Sequence, residues 1–164
     1  MEMKREFYGL LLAGSLVVLA VPLARAASDV PVPAKCTAEV NQKLTQLLAS
    51  GPSGTVDNVM VCGMTVSASR TQRGGPHGDH QILPLRVTTS TGDVRLIEVV
   101  TNDDLDGRVT AGPNTPVFAY GQAFFPSRGR FAAGIHDVHC ATHRGADNGW
   151  VVVNGEKHPA NCSR

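Results

Sequence analysis

The sequence predicts a mainly β protein: a small five-stranded barrel, preceded by one amphipathic helix and stapled by disulfides. Three observations predict it. A single helical stripe of leucines near the N-terminus is followed by short Val-, Ile- and Thr-rich runs, separated by Gly- and Pro-containing turns. The 164 residues leave about one domain once a leader is set aside. All four cysteines lie beyond that leader.

Residues 1–26 are expected to be a secretory signal peptide. Lys4 and Arg5 give a charged start, residues 10–20 an apolar run too short to span a bilayer, and Ala24-Arg25-Ala26 a small-residue exit. The expected destination is the periplasm or the extracellular medium, with no membrane attachment after cleavage. The charges that remain nearly cancel, so the strong basic field that gathers nucleic acid or anionic lipid is missing. In an oxidising compartment Cys36, Cys62, Cys140 and Cys162 read as two disulfides. Three pairings are open. Cys36–Cys62 with Cys140–Cys162 is favoured, because it ties the helix to the first strand and the tail to the last main one.

Residues 27–54 form a leader and the N-terminal helix; residues 55–164 form one β-barrel domain with a C-terminal extension. Pro31 and Pro33 keep the leader extended. A helix is predicted over 37–49, with Thr37 as N-cap and Val40, Leu44, Leu47 and Leu48 on one face. Ser50 to Gly54 stops it. A long strand over 56–69 carries Gly63 in its middle, where a bulge or sharp coil is expected. Residues 70–78 read as a polar loop. Strands over 80–89 and 94–101 make a hairpin across Ser90-Thr91-Gly92-Asp93. A short helical turn falls within 102–112, then strands over 116–125 and 131–140, and a last short strand over 150–153 that turns at Asn154-Gly155. This order matches an OB-like barrel, the small Greek-key barrel that binds oligonucleotides and oligosaccharides.

Several motifs stand out. They are His80-Gln81, Asn102-Asp103-Asp104-Leu105, Ile135-His136-Asp137-Val138-His139, Gly149-Trp150 and Asn154-Gly155. In this order the chain resembles the exported bacterial proteins grouped as domain of unknown function 3465, from about residue 56 to 158. Where that family carries a tryptophan after the first histidine of the run and a histidine after the last, this chain has Asp137 and Cys140. Any family site built from that histidine group is therefore altered here, and the resemblance implies no activity.

The chemistry the residues permit is of three kinds. His80, His136, His139 and His143 would supply a three-histidine zinc site with an open position, provided a bulge, or a strand end followed by a helical turn near Val138, brings His136 and His139 to one side. Asp103, Asp104 and Asp106 read as a solvated acidic turn, since the closing glutamate of a calcium loop is missing. His80, Gln81, His136, His139 and Trp150 are candidate ligand-binding residues, expected at one rim of the barrel. The leading expectation is a binding module for a small ligand or a protein partner, not an enzyme. The alternative is a zinc-dependent enzyme, a hydrolase, using the histidine cluster.

Overall fold

The computed structural model describes residues 29–74, 78–143 and 146–162. The expected signal peptide lies outside them. The chain before the barrel forms a 3-10 turn, Ala38–Asn41, that runs into α1, Gln42–Ser50, ending on Gly51 in the left-handed conformation. Thr37 occupies the N-cap position, but its side chain makes no capping bond. Leu44 is buried in the main core, with Leu47 and Leu48 packed against it.

Five strands close the barrel. They are β1 (Val56–Thr65), β3 (His80–Thr88), β4 (Val94–Asn102), β5 (Pro116–Phe124) and β6 (Gly134–His136), with β2 (Arg70–Gln72) preceding β3 in the chain. Around the barrel the order is β1, β3, β4, β6, β5 and back to β1. β3 and β4 form a continuous hairpin from His80↔Asn102 to Thr88↔Val94. β4 and β6 run parallel, at Glu98↔Gly134 and Val99↔Ile135. β1 and β5 close the sheet along most of their length. The protein is therefore an OB-like barrel, as the element order predicts. β2 pairs with the start of β3; β7 (Trp150–Val153) pairs antiparallel with β5, and β8 (Glu156–His158) pairs with β7. A four-residue helix, α2 (Asp103–Asp106), links β4 to β5.

Alternation fills the interior. Leu83, Leu85 and Val87 from β3 meet Ile97 and Val99 from β4, Val59 and Val61 from β1, and Ile135 from β6. The helix plugs one end with a polar latch. Asn41 is 1% exposed; its amide donates to the carbonyls of Cys62 and Thr88 and its oxygen accepts from the Cys62 N–H. It satisfies backbone groups where β1 and β3 part, which an apolar residue would leave unpaired.

Two disulfides staple this frame, Cys36–Cys62 and Cys140–Cys162, in the favoured pairing. Three expectations need correction. The irregularity in β1 falls between Val56 and Val59, where Asn58 has φ 62°, and not at Gly63. Gly63 instead lets β1 cross β3 closely, since a Cβ there would strike the Arg86 carbonyl. Residues 70–72 form a strand, not a stretch of loop, because they lie against the open edge of β3. The strand expected over 131–140 is only Gly134–His136, cut short by Asp137 at φ 52°.

Candidate functional site

The site is built where β3 begins, β4 ends and β6 stops. His80 opens β3 and lies opposite Asn102, the last residue of β4. Asn102 organises the entry into α2. Its side-chain oxygen accepts from the N–H groups of Asp104 (2.9 Å) and Leu105 (3.3 Å), which starts the helix. In return its own N–H donates to Asp106 Oδ2 at 2.6 Å. This is a reciprocal cap of the capping-box kind. It draws Asp106 inward to 5% exposure and leaves Oδ1 buried without a hydrogen bond among the described residues. Asp104 is exposed, as expected of a solvated acidic turn, but Asp106 is not. Burial, the largest influence, pushes the Asp106 carboxyl up to about 6; the Asn102 N–H and His139 oppose the rise, while Asp137 and Asp103 add to it.

Gln81 supports the same corner from inside. Its amide donates to both oxygens of Asp103, at 3.0 and 2.9 Å, and its oxygen accepts from Thr71 Oγ1 at 3.0 Å. This buried residue ties β2, β3 and α2 together. It lines neither of the two hollows at this corner, so it acts as a strut and not as a ligand contact.

His136, the last residue of β6, and His139 converge through a left-handed turn at Asp137. No helical turn forms after Val138. Asp137, with its left-handed backbone, turns the chain so that its carboxylate lies between both rings. Asp137 Oδ1 is 3.6 Å from His136 Nδ1 and 3.6 Å from His139 Nε2. The outer nitrogens are committed elsewhere. His136 Nε2 donates to Gln122 Oε1 at 2.9 Å, and His139 Nδ1 donates to the Cys140 carbonyl at 2.9 Å. Gln122 in turn donates to Asp57 Oδ1 at 2.5 Å. The result is a chain of contacts, hydrogen-bonded from Asp57 through Gln122 to His136 and continued by the Asp137 carboxylate to His139. The facing Asp137 carboxylate raises His139, against the effect of burial, and the His139 contact lowers Asp137. Gly121 and Gly149 let this turn lie flat on β5 and β7, since a Cβ at either would strike the His136 or Asp137 carbonyl.

Two adjoining hollows share His80, Val100 and His136. The larger is an open groove of about 530 Å³ on the outer face of the barrel. Its lining runs from Arg70 and Gln72 on β2 across Ile82, Glu98 and Val100 to Phe124. The Phe124 ring lies over Gly134 and meets His136 edge-on, with centroids 5.1 Å apart at 82°. Burial raises the Glu98 carboxyl, and Arg70 and Arg130 oppose that rise. The smaller hollow, about 220 Å³, lies between Asn102, Leu105 and Asp106 on one side and His136, Asp137 and His139 on the other.

Not every expected member joins. Trp150 is 1% exposed and packs with Tyr120 and Val152 in a separate apolar cluster, alongside Val30, Met60 and Phe118. Its Nε1 donates to the Val30 carbonyl at 2.8 Å. Trp150 pairs with Tyr120 and His136 with Gln122 along one edge of β5. Neighbouring register thus places Trp150 beside the histidines without opening it to their cavity. His143 lines a different hollow of about 30 Å³, with Asp57, Asp137 and His139. Among the described residues no three or more His, Cys, Asp or Glu are grouped to hold a metal ion, so the four-histidine zinc set is not assembled. The residues that sequence reading missed are Asp106, Glu98, Asp57 and Gln122. For Asp106 a signal existed: an Asn followed at short spacing by a carboxylate, the pattern of a capped helix start.

Among the described residues no helix is long and apolar enough to cross a membrane, which with two disulfides is compatible with export. No family model, curated protein or solved structure matches the chain.

Proposed function

We propose that the protein is an exported ligand-binding module, working in the periplasm or the medium, whose ligand lies in the groove across β3 and β4. The observation that carries this reading is the groove itself. It combines an apolar floor, Ile82 and Val100, with an aromatic edge at Phe124 and convergent polar groups at Arg70, His80, Glu98 and His136. That is the usual make-up of a small-ligand site. It lies on the strand face of an OB-like barrel, where such barrels commonly bind; this part of the support is fold analogy.

Membership of the family of unknown function 3465 belongs to the same proposal. Its support is that the residues carrying the resemblance, His80-Gln81, Asn102 to Leu105 and Ile135 to His139, build one corner of the molecule. Asp137 and Cys140, at the two places where the family pattern differs, are taken up here by the imidazole contacts and by a disulfide. The zinc-enzyme alternative has no assembled ligand set behind it among the described residues.

The test is an NMR screen of the oxidised protein against mixtures of sugars, nucleotides, amino acids and short fatty acids. Binding in the groove moves the amide signals of Val100, Phe124 and His136, and the Val100→Arg variant abolishes those shifts. If no mixture moves them, or Val100→Arg leaves them unchanged, the groove is not the binding site.

A further inference from the structure

The groove on the outer face of the barrel carries two opposite charges that do not meet each other. Alternation sets them there. Ile97 and Val99 point into the core and Thr71 bonds the buried Gln81, so Glu98, Val100, Arg70 and Ile82 stand on the other side of the sheet. Register fixes their spacing. Arg70 pairs with Ile82 and Ile82 with Val100, which makes one row across β2, β3 and β4. Glu98 belongs to the next row, opposite Gly134, which lies opposite Phe124. Arg70 and Glu98 therefore sit on a diagonal, their Cα atoms on the order of 12 Å apart, with Ile82 and Val100 as the apolar floor between them.

Among the described residues neither the Arg70 guanidinium nor the Glu98 carboxylate makes a hydrogen bond or a salt bridge. The Glu98 oxygens are not sealed in, as Asp106 Oδ1 is; they open on the groove. Arg130, the other cation that acts on Glu98, is turned over the Phe131 ring at 4.7 Å and lies outside the groove lining. The Phe124 ring covers Gly134 and so brings aromatic surface beside Glu98, a setting that suits an ammonium group.

Each class of occupant can be weighed against this set. An anion drawn to Arg70 is repelled by Glu98, and a cation drawn to Glu98 is repelled by Arg70. A neutral ligand covering the floor strips water from both charges and gives neither a counter-charge. A molecule with a carboxylate at one end, an ammonium at the other and an apolar body meets both charges and the floor. An α-amino acid with one charge-assisted contact at each end spans on the order of 8 Å, and a dipeptide about 12 Å. Both fit the diagonal, because the long arginine side chain can lean toward the shorter one.

We propose that the ligand of the groove is a small zwitterion with an apolar side chain, a free amino acid or a dipeptide, its carboxylate on Arg70, its ammonium on Glu98 beside Phe124, and its side chain on Ile82 and Val100. This rests on the binding-module reading and names its ligand class.

The oxidised protein is titrated by NMR with leucine, phenylalanine and leucyl-leucine, and in parallel with the sugar, nucleotide and fatty-acid mixtures. At least one of the three zwitterions is expected to move the amide signals of Arg70, Glu98 and Val100; the tightest of them gives the length of the ligand. Two derivatives of that ligand each remove one charge. The N-acetyl form lacks the ammonium and the C-terminal amide lacks the carboxylate, and each should bind at least tenfold more weakly. Arg70→Gln and Glu98→Gln should each weaken the unmodified ligand at least tenfold, and Glu98→Gln should not weaken the N-acetyl form further. Unshifted amide signals of Leu83 and Val99 show that a variant is folded; the two derivatives, which use the unaltered protein, decide the matter if one is not. The inference is overturned if none of the three zwitterions moves those signals, if either derivative binds within tenfold of its parent, or if either folded variant binds as the unaltered protein does. Groove shifts with a sugar, nucleotide or fatty acid and with no zwitterion would overturn the ligand class and leave the binding module standing. No shift with any probe would count against both.

Discussion

Two clusters sit side by side along the edge of β5, and they differ in how their polar groups are met. Around Tyr120 and Trp150 every polar tip has a partner inside the protein. The Trp150 N–H reaches the Val30 carbonyl, and the Tyr120 hydroxyl donates to Asp147 at 3.0 Å. The two rings stack at 6.0 Å with the leader laid over them. Around His80, Asp106 and His139 one polar group is left over. A buried carboxyl oxygen lacks a hydrogen bond among the described residues, and carboxylates and imidazoles crowd a cavity. Packing explains the first cluster completely. It does not explain the second, where a carboxyl is buried at a cost and open space adjoins it. Structural aromatics satisfy themselves; a binding site keeps polar capacity in reserve.

The comparison can be broken most forcefully at Trp150. Trp150→Ala removes a fully buried ring and orphans the Val30 carbonyl, so it should cost about 3–5 kcal/mol of stability. Denaturant unfolding measures this. A cost below about 1 kcal/mol would mean the cluster is not the structural one. A smaller effect is expected at the imidazole turn. Asp137 is lowered and His139 is raised. The lowered carboxyl contributes stability that is lost as pH falls through its folded pKa. The raised imidazole contributes stability that is present below its unfolded value, near 6.5, and is lost as pH rises through its folded pKa. Their joint contribution therefore lies between those two limits. Since the Asp137 side chain is 47% exposed, solvent screening holds it to about 1 kcal/mol or less. Asp137→Asn should flatten the pH dependence of the melting temperature across that window; an unchanged profile would show that the carboxylate does not couple to the rings. The smallest effect is expected at His136. Its side chain is 35% exposed, so His136→Ala should shift stability by less than about 1 kcal/mol while removing ligand-induced shifts in the groove. A large loss of stability with binding intact would assign His136 to the fold.

Much of the frame could be read from the sequence, for reasons that are local. The helix announced itself through Leu44, Leu47 and Leu48, and the β3–β4 hairpin through alternation and the turn Ser90-Thr91-Gly92-Asp93. What could not be read depends on distant partners. Asn41 looks like any polar residue in a first helical turn, yet it is latched to backbone 21 and 47 residues away. Arg70–Gln72 has no apolar alternation and is a strand only because β3 offers an edge. His136 and His139 should face opposite ways on a regular strand; one left-handed residue, Asp137, reverses that. Asp106 resembles its solvated neighbours in sequence, and only the Asn102 N–H distinguishes it. The histidines of the site were thus visible as residue types, while the carboxyl that gives the site its character was not.

The central claim is that Asp106 is kept ionisable inside a cavity at a cost to the fold. Its folded pKa is raised to about 6 from an ordinary 3.8. The native state therefore holds the proton more tightly than the unfolded chain, and stability falls as pH rises from about 4 to about 6. Above that the full cost is present, about 3 kcal/mol at 1.36 kcal/mol per pKa unit. Asp106→Asn keeps the bond to the Asn102 N–H and removes the buried charge. Chemical denaturation of the protein and the variant at pH 8 and pH 4 decides the matter. The variant should be more stable by about 2–3 kcal/mol at pH 8 and nearly equal at pH 4. A variant that is less stable than the parent at pH 8 would contradict the claim, because it would make the ionised Asp106 a support of the fold and not a group held in reserve for a ligand.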